Sequence, residues 1–210
     1  MRKFLAFALS LTLFVCSIPS AFAASEVVNT AAPKKTIVVD AGHGGYDGGA
    51  VYEGICEKNI NLSVALKLEN ELKERGYNVI MTRRTDVFVT LRNRAVTANN
   101  ANADLFVSLH ANAAANAPYF AGAYTYRCPG SSRGLKLAKA VQAQMCNQTG
   151  AINRGVLSER FYVLTATRMP AVLVEMGFMS NHNELQNLIN SAYQDKIVDG
   201  IAQGIDEYFR

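Results

Sequence analysis

Three side chains that can bind a metal ion or transfer a proton come at the ends of short apolar segments. His43 follows "TIVVDAG", His110 ends "DLFVSLH", and Glu175 ends "AVLVE". If these segments are neighbouring parallel strands, their carboxyl ends meet at one edge of a sheet, which is where such sheets bind ligands. A carboxylate directly after "AVLV" is also costly to bury unless a cation or hydrogen-bond donors meet it. The pattern therefore predicts a functional site at this edge.

A second glutamate, Glu57, begins the helical segment that follows the glycine-rich loop "GHGGYDGGA". Two imidazoles, from His43 and His110, and one of the two glutamates would make the usual three-ligand set of a catalytic zinc site. Bound zinc lowers the pKa of water to about 7 and polarises a carbonyl group. The other glutamate then fits the role of the carboxylate that moves protons. The glycines let the loop bend sharply and let a substrate approach the metal.

Each of these residues also has a purely structural interpretation. Hydrogen bonds from the loop or backbone would satisfy His43 and His110, and Glu57 would stabilise a helix start whatever its function. The spacing alone is not decisive, because there is no H-E-x-x-H helix and the gap from His43 to Glu57 is not a recognised zinc spacer. The third histidine, His182, lies in the polar segment "SNHNE" and is interpreted as an ordinary surface residue.

Strand-like and helix-like segments alternate along the chain. Strands are predicted at 36–40, 77–82, 104–110, 122–127, 160–164 and 171–176. Helices are predicted at 57–76, around 91–103 with Thr90 as its cap, at 132–150 and at 195–209. This order predicts a single α/β domain whose central, mostly parallel sheet has helices on both faces.

The first 23 residues have the features of a secretory signal peptide. Arg2 and Lys3 precede an apolar run that ends in Ala21-Phe22-Ala23. A membrane anchor is the competing interpretation, but the uncharged stretch is short for a span. We expect a signal peptide at 1–23, a linker at 24–35 and the catalytic domain at 36–210. The protein would be secreted to the cell wall or periplasm, with no stable membrane anchor after cleavage.

The formal net charge of +4 is too small to predict nucleic-acid binding, and no nucleic-acid partner is expected. Of the four cysteines, Cys16 belongs to the predicted signal peptide. Cys56, Cys128 and Cys146 are compatible with a Cys128–Cys146 disulfide plus a free thiol, or with three thiols. No C-x-x-C pair indicates a structural zinc site or a redox motif.

Taken together, the motifs resemble the zinc-dependent N-acetylmuramoyl-L-alanine amidases of bacterial cell-wall turnover, in the branch with a compact α/β catalytic domain. The resemblance covers about residues 36–209 in the family's order. It rests on "IVVDAGHGGYDGGA", "EKNINLSVALKL", "TRRTD", "LRNRAVTANNANADLFVSLHANA", "GAYTY", "NRGVLSERFYVLTATRMPAVLVEMGFMSN" and the terminal helix.

The resemblance implies that His43, Glu57 and His110 bind one zinc ion and that Glu175 is the catalytic glutamate. It also implies a twisted, mixed sheet of about six strands with helices on both faces. The implied reaction is hydrolysis of the amide between the lactyl group of N-acetylmuramic acid and L-alanine in peptidoglycan. We expect the enzyme to be a monomer.

Asn112 in "LHANA" and Arg154 in "NRGV" are the candidate substrate-binding residues, with a structural role as the alternative. The connection "ANAAANAPYFAG" after His110 is short, so we expect an open groove rather than one covered by an inhibitory helix. The rival functions are a zinc peptidase acting on stem peptides and a non-catalytic wall-binding module. A cysteine nucleophile is disfavoured, because Cys56 and Cys128 follow no nucleophile signature.

Overall fold

The computed structural model of the protein describes residues 34–210, which are built around one central sheet. The strands in chain order are β1 (Thr36–Ala41), β2 (Val51–Tyr52), β3 (Ile55–Cys56), β4 (Asn78–Met81), β5 (Leu105–Asn112), β6 (Ala123–Arg127), β7 (Asn153–Ser158) and β8 (Ala171–Phe178). Six of them form the sheet in the order β4-β1-β5-β8-β6-β7, and β2 pairs with β3 in a separate hairpin. The predicted signal peptide and most of the predicted linker lie outside the described residues.

The sheet is mixed and mostly parallel, as predicted. β6 runs antiparallel to β8, and the other neighbouring pairs of the large sheet are parallel. Because β6 is reversed, its beginning lies beside the carboxyl end of β8, and the beginning of β7 lies beside that of β6. Residues from the starts of β6 and β7 therefore share an edge with the ends of β1, β5 and β8.

Helices cover both faces of the sheet. They are α1 (Glu57–Glu74), α2 (Leu91–Asn100), α3 (Ser132–Thr149), α4 (Tyr162–Thr165), α5 (His182–Ile189) and α6 (Ser191–Phe209). The larger core cluster joins one face of the sheet to α1, α3, α5 and α6, and the smaller cluster joins the other face to α2 and α4. None of the helices between residues 34 and 210 is long and apolar enough to cross a bilayer.

The candidate site lies on the face of the sheet that is covered by the short helices α2 and α4. Side chains alternate along a strand, so Val38, Phe106 and Leu173 all point toward α2 and α4. The positions that follow on this face, closer to the carboxyl ends, are polar: Asp40 on β1, Ser108 and His110 on β5, and Glu175 on β8. Short helices on this face leave Asp40, His110 and Glu175 beside a cavity.

Local signals explain the long helices. In α1 the buried side chains Ile60, Val64, Leu68 and Leu72 recur every four residues, which makes one apolar stripe. Thr90 caps α2 as predicted, since its side chain accepts a hydrogen bond from the backbone of Asn93. α3 ends at Gly150, whose φ of 72° is the left-handed conformation that glycine adopts without strain.

The prediction of a strand at 160–164 is wrong. This apolar run forms the one-turn helix α4, which places Val163 and Leu164 against the sheet. A short apolar run buries its side chains equally well as a strand or as a helical turn, so periodicity does not separate the two. The sixth strand is β7, "NRGVLS", an edge strand whose polar residues and glycine hide the alternation.

Of the two alternatives left open for the cysteines, the Cys128–Cys146 disulfide is not formed. Cys146 packs into the larger core cluster and Cys128 packs against the smaller one, on the opposite face of the sheet. The sheet separates the two side chains, so they do not pair. Throughout the described part of the chain the cysteines are free thiols, which agrees with the alternative of three thiols.

Candidate active site

His43, Glu57 and His110 come together although they belong to three different elements. His43 lies in the loop after β1, Glu57 is the first residue of α1, and His110 lies near the end of β5. Nε2 of His43 is 3.1 Å from Oε2 of Glu57, and Nδ1 of His110 is 3.0 Å from Oε1 of the same carboxylate. One potential ligand atom from each residue lies within 4.8 Å of the others. The structure therefore brings His43, Glu57 and His110 together.

Glu57 is held in place by donors around its carboxylate. The backbone N–H of Ala50 donates to Oε2 at 3.0 Å, and the amide of Asn61 donates to Oε1 at 3.0 Å. Burial by itself would raise the pKa of Glu57, but the hydrogen bonds and charges of His110 and His43 outweigh it. The pKa lies well below its usual range, so the carboxylate is ionised and able to bind a cation.

His43 has a carboxylate behind it. Oδ1 of Asp47 is 2.9 Å from Nδ1 of the ring, which leaves Nε2 directed at Glu57. Such a carboxylate fixes the orientation of an imidazole ligand and increases its basicity. Burial lowers the pKa of His43, but Glu57 and Asp47 together raise it to about 9. A metal ion must therefore displace a proton from this ring.

Two glycines of the loop leave the space that the cluster occupies. A Cβ atom on Gly42 would overlap the ring of His110, and one on Gly49 would lie 2.6 Å from Oε2 of Glu57. Gly49 also has a φ of 66°, which disfavours other residues. The glycines therefore allow close packing of backbone against the ligand side chains.

Glu175 lies beside the cluster on the adjacent strand. It is the register partner of His110 across β5 and β8. Its Oε2 atom is buried and accepts no hydrogen bond from any residue between 34 and 210. Burial is the main cause that raises the pKa of Glu175, to about 7. A carboxylate with this pKa exchanges a proton readily at neutral pH.

A cavity of about 550 Å³ opens next to these groups. One wall comes from the segment leading into α2, the other comes from α4, and Leu173 lies between them. Its lining residues are Asp40, Gly42, His43, Asp47, Phe88, Val89, Leu91, Arg94, His110, Phe161, Tyr162, Val163, Leu173 and Glu175. Because His110 and Glu175 are part of the lining, a molecule in the cavity lies against both.

The sequence analysis missed two buried arginines that hold the loop. Arg94 pairs with Asp40 at 2.7 Å, both side chains being buried, and also donates to the carbonyl of His43 at 2.7 Å. Arg83 donates to the carbonyls of Ala41 and Gly42 at 2.9 and 2.8 Å. The available signal was an arginine on the buried side of α2, where an apolar residue is expected.

Asn112 and Arg154, the other two candidate residues, are not among the residues that line the cavity. Asn112 ends β5, and its side chain accepts a hydrogen bond from the next backbone N–H at 2.8 Å. Arg154 donates to the carbonyl of Ala121, and its guanidinium lies 4.5 Å from the ring centroid of Phe120. Both lie at the same sheet edge as Glu175, and their contact with substrate stays a prediction.

The cluster suits a zinc ion in both its donors and its surroundings. Two imidazole nitrogens and one carboxylate oxygen are typical zinc ligands, and three protein ligands leave a position for water or substrate. The carboxylate of Asp47 behind His43 is the outer-shell partner that such sites use. The fold and the site thus define a class of protein, an α/β hydrolytic enzyme whose site can hold a divalent metal ion.

The comparisons with known proteins assign the family. The sequence profile of the N-acetylmuramoyl-L-alanine amidases matches residues 37–207. The chain belongs to this family, and the resemblance drawn from the motifs is confirmed.

Individual relatives are similar in sequence to this chain over most of its described residues. YqiI of Bacillus subtilis is 40% identical over 180 residues, which are 83% of this chain and 85% of that protein. The N-acetylmuramoyl-L-alanine amidase LytC of the same organism is 36% identical over 84% of this chain but only 36% of its own length. The crystal structure of an N-acetylmuramoyl-L-alanine amidase from Clostridium difficile superposes with a TM-score of 0.82. It is 37% identical and covers 84% of this chain and 97% of that one.

Proposed function

We propose that this protein hydrolyses the amide bond between the lactyl group of N-acetylmuramic acid and L-alanine in peptidoglycan. The observation that carries the proposal is the position of Glu175. It lies beside a preformed cluster of His43, Glu57 and His110 at the edge of a sheet, in a chain of the amidase family. This arrangement combines a cation site and a proton carrier within one cavity.

The cation is proposed to be one zinc ion held by His43, Glu57 and His110. When bound, zinc supplies Lewis acidity that polarises the amide carbonyl and lowers the pKa of water. Glu57 provides the negative charge, since its pKa keeps it ionised. Asp47 holds the ring of His43 through Nδ1, so that Nε2 stays directed at the cluster.

Glu175 is proposed to be the catalytic residue. Its unpartnered Oε2 accepts the proton of the attacking water and then delivers it to the leaving nitrogen of alanine. Burial raises the pKa of Glu175 to about 7 without a bound cation, so this carboxyl group can hold a proton at its buried position. Apolar side chains line the cavity on either side of this exchange.

Asn112 and Arg154 are proposed to contact the substrate at the edge of the sheet beyond Glu175. In support, Tyr124 is the register partner of Glu175, and the guanidinium of Arg154 lies 6.0 Å from the Tyr124 ring centroid. The connection between β5 and β6 is short and contains no helix. We infer that the groove is open and needs no displacement of an inhibitory segment.

We also propose that residues 1–23 direct secretion, that 24–35 form a linker, and that 36–210 act as a monomeric catalytic domain in the cell wall or periplasm. Peptidoglycan is the proposed partner, in keeping with the amidases that the chain resembles.

The decisive experiment identifies the bond that is cleaved. Purified peptidoglycan is incubated with the zinc-loaded protein, with the chelated protein and with Glu175→Gln, and the newly exposed amino termini are labelled and identified. The proposal expects new L-alanine amino termini with the zinc-loaded wild type only. New amino groups on the diamino acid would indicate a stem-peptide peptidase. Binding to peptidoglycan without any new amino group would indicate a wall-binding module.

A further inference from the structure

The cavity beside the metal-ligand cluster is larger than the scissile bond requires. Its volume of about 550 Å³ is within the range of about 300–1,000 Å³ for small-molecule sites. A methyl group such as that of alanine needs roughly the space of one water, about 30 Å³. Because His110 and Glu175 both line the cavity, a group that fills it lies next to the position proposed for the reacting amide.

Aromatic rings form both walls of the cavity. Phe88 stacks on Tyr46 with ring centroids 4.3 Å apart, and Phe161 meets Tyr126 edge to face at 5.2 Å. Phe88 and Phe161 remain 38% and 37% exposed, so the core does not account for them. Tyr46 and Tyr126 contact these two rings in the absence of a ligand. Preset ring faces attract the weakly positive C–H groups of a pyranose.

Among the described residues that line the cavity, those outside the proposed cation site offer no unpaired cation to an anionic occupant. The one arginine in the lining, Arg94, is paired with Asp40. The two histidines face Glu57, and the remaining charged residues of the lining are the carboxylates Asp47 and Glu175. In the intact substrate the sugar side is neutral, because its lactyl carboxyl is part of the amide. The stem peptide carries free carboxylates, which would lie near Asp47 and Glu175 here with no unpaired cation beyond the proposed cation site.

A cation is available on the other side of Glu175. Arg154 lies over the rings of Phe120 and Tyr124, and Tyr124 is the register partner of Glu175 on β6. Among the contacts of residues 34–210, the hydrogen bond of Arg154 uses Nε, which leaves both Nη groups to meet a carboxylate. The two sides of the scissile bond therefore face surfaces of different chemistry.

We infer that the cavity walled by Phe88 and Phe161 is the subsite for the N-acetylmuramic acid ring, so that the stem peptide leaves the site toward Arg154. This inference rests on the proposed function and adds the direction in which the substrate lies. Phe88 and Phe161 are then specificity-determining residues, since they contact the sugar and not the reacting atoms.

Calorimetric titration with two separate probes tests the inference. One probe is N-acetylmuramic acid with its lactyl carboxyl capped as the methylamide, and the other is the free tripeptide L-alanyl-D-glutamyl-L-lysine. Titrations use the zinc-loaded full chain carrying Glu175→Gln, so that neither probe is consumed. Phe88→Ala and Phe161→Ala are compared with Phe88→Leu and Phe161→Leu, which keep an apolar side chain but lose the ring. Ile189→Ala is the matched control, because Ile189 is 42% exposed and does not line the cavity.

The expected result is about a fivefold to tenfold rise in the Kd of the capped sugar for each alanine variant, and a smaller rise for each leucine variant. The Kd of the tripeptide should change less than about twofold, which corresponds to roughly 0.4 kcal/mol. Arg154→Gln should show the reverse pattern. Ile189→Ala should change neither Kd.

Three results would overturn the inference. The first is weaker binding of the tripeptide with unchanged binding of the capped sugar in the Phe88 and Phe161 variants. The second is unchanged binding of both probes in variants whose thermal unfolding is normal. The third is a failure of the capped sugar to bind the protein that carries Glu175→Gln alone. Amide hydrolysis by the wild type is measured in parallel. If the proposed function is wrong, the wild type does not cleave the amide. If only this inference is wrong, the wild type still cleaves it.

Discussion

His110 and Glu175 are register partners on adjacent parallel strands, yet their surroundings differ. Nδ1 of His110 lies 3.0 Å from the carboxylate of Glu57, whereas Oε2 of Glu175 is buried with no hydrogen-bond partner in the described chain. One side chain is thereby engaged with the ligand cluster, and the other is free to take up a proton. The different roles proposed for the two residues follow from this asymmetry.

The first prediction separates metal binding from proton transfer. Glu175→Gln should retain zinc and lose about 10²- to 10⁴-fold in turnover, because the amide cannot accept a proton. His110→Ala should lose both zinc and activity. Metal analysis of the folded proteins and the rate of amide hydrolysis are the measurements. A near-normal rate in Glu175→Gln would remove Glu175 from the mechanism.

The second prediction concerns pH and the stability of chelated protein. The pKa of Glu175 is about 7 in the folded state against 4.5 for an unperturbed group, so folding favours its protonated form. The wild type should lose stability as the pH rises from about 4.5 through about 7, by up to about 3 kcal/mol. Glu175→Gln mimics the protonated form and should be the more stable protein at pH 8, with no advantage at pH 4.

Urea denaturation of both proteins at the two pH values, with chelator present, provides the test. His43 also titrates above neutral pH, with a pKa of about 9, but it is present in both proteins and largely cancels in the difference. Equal stability of the two proteins at pH 8 would contradict the burial of an ionised Glu175.

The third prediction uses two glycines with similar backbone angles. A Cβ on Gly49 meets Glu57 at 2.6 Å, whereas one on Gly54 meets nothing within 4 Å among the residues described. Their φ values are 66° and 77°, so backbone strain should destabilise both alanine variants by about 1 kcal/mol. Gly49→Ala alone should also weaken zinc binding, by at least about tenfold, because it displaces a ligand. Competition with a chromophoric chelator measures the affinity, and equal zinc affinity in the two variants would contradict the close packing of Gly49 on Glu57.

The fourth prediction addresses the buried pair of Arg94 and Asp40. Arg94→Met leaves the Asp40 carboxylate buried without its cation, and should destabilise the protein by about 3–5 kcal/mol. The double variant Arg94→Met with Asp40→Asn should recover part of this loss, because the unpaired charge is gone. Urea denaturation in a double-mutant cycle gives the coupling. An additive cycle would show that the pair carries no specific interaction.

Much of the fold is readable from local patterns. The stripe of Ile60, Val64, Leu68 and Leu72 specifies α1, and the cap at Thr90 marks where α2 begins. Such signals depend on neighbours a few residues apart, so a single sequence carries them. The run at 160–164 was misassigned because a one-turn helix and a strand bury such a run equally well.

The residue types of the site, and their places at strand ends, were also visible in the chain. Two histidines and two glutamates in this pattern, with the family's motifs around them, were enough to predict a zinc amidase of α/β architecture. The family assignment and the solved structures confirm the amidase family and the α/β architecture. Side-chain chemistry belongs to single residues, so the chain shows it directly.

Other features depended on contacts between distant segments. The side of the sheet on which each cysteine lies, the pairing of Arg94 with Asp40, and the adjacency of His110 and Glu175 all follow from strand order and register. The reversed direction of β6, which brings Tyr124 next to Glu175, is likewise absent from any local pattern. Strand order is settled by the packing of the whole core, where many weak contacts between remote residues act together.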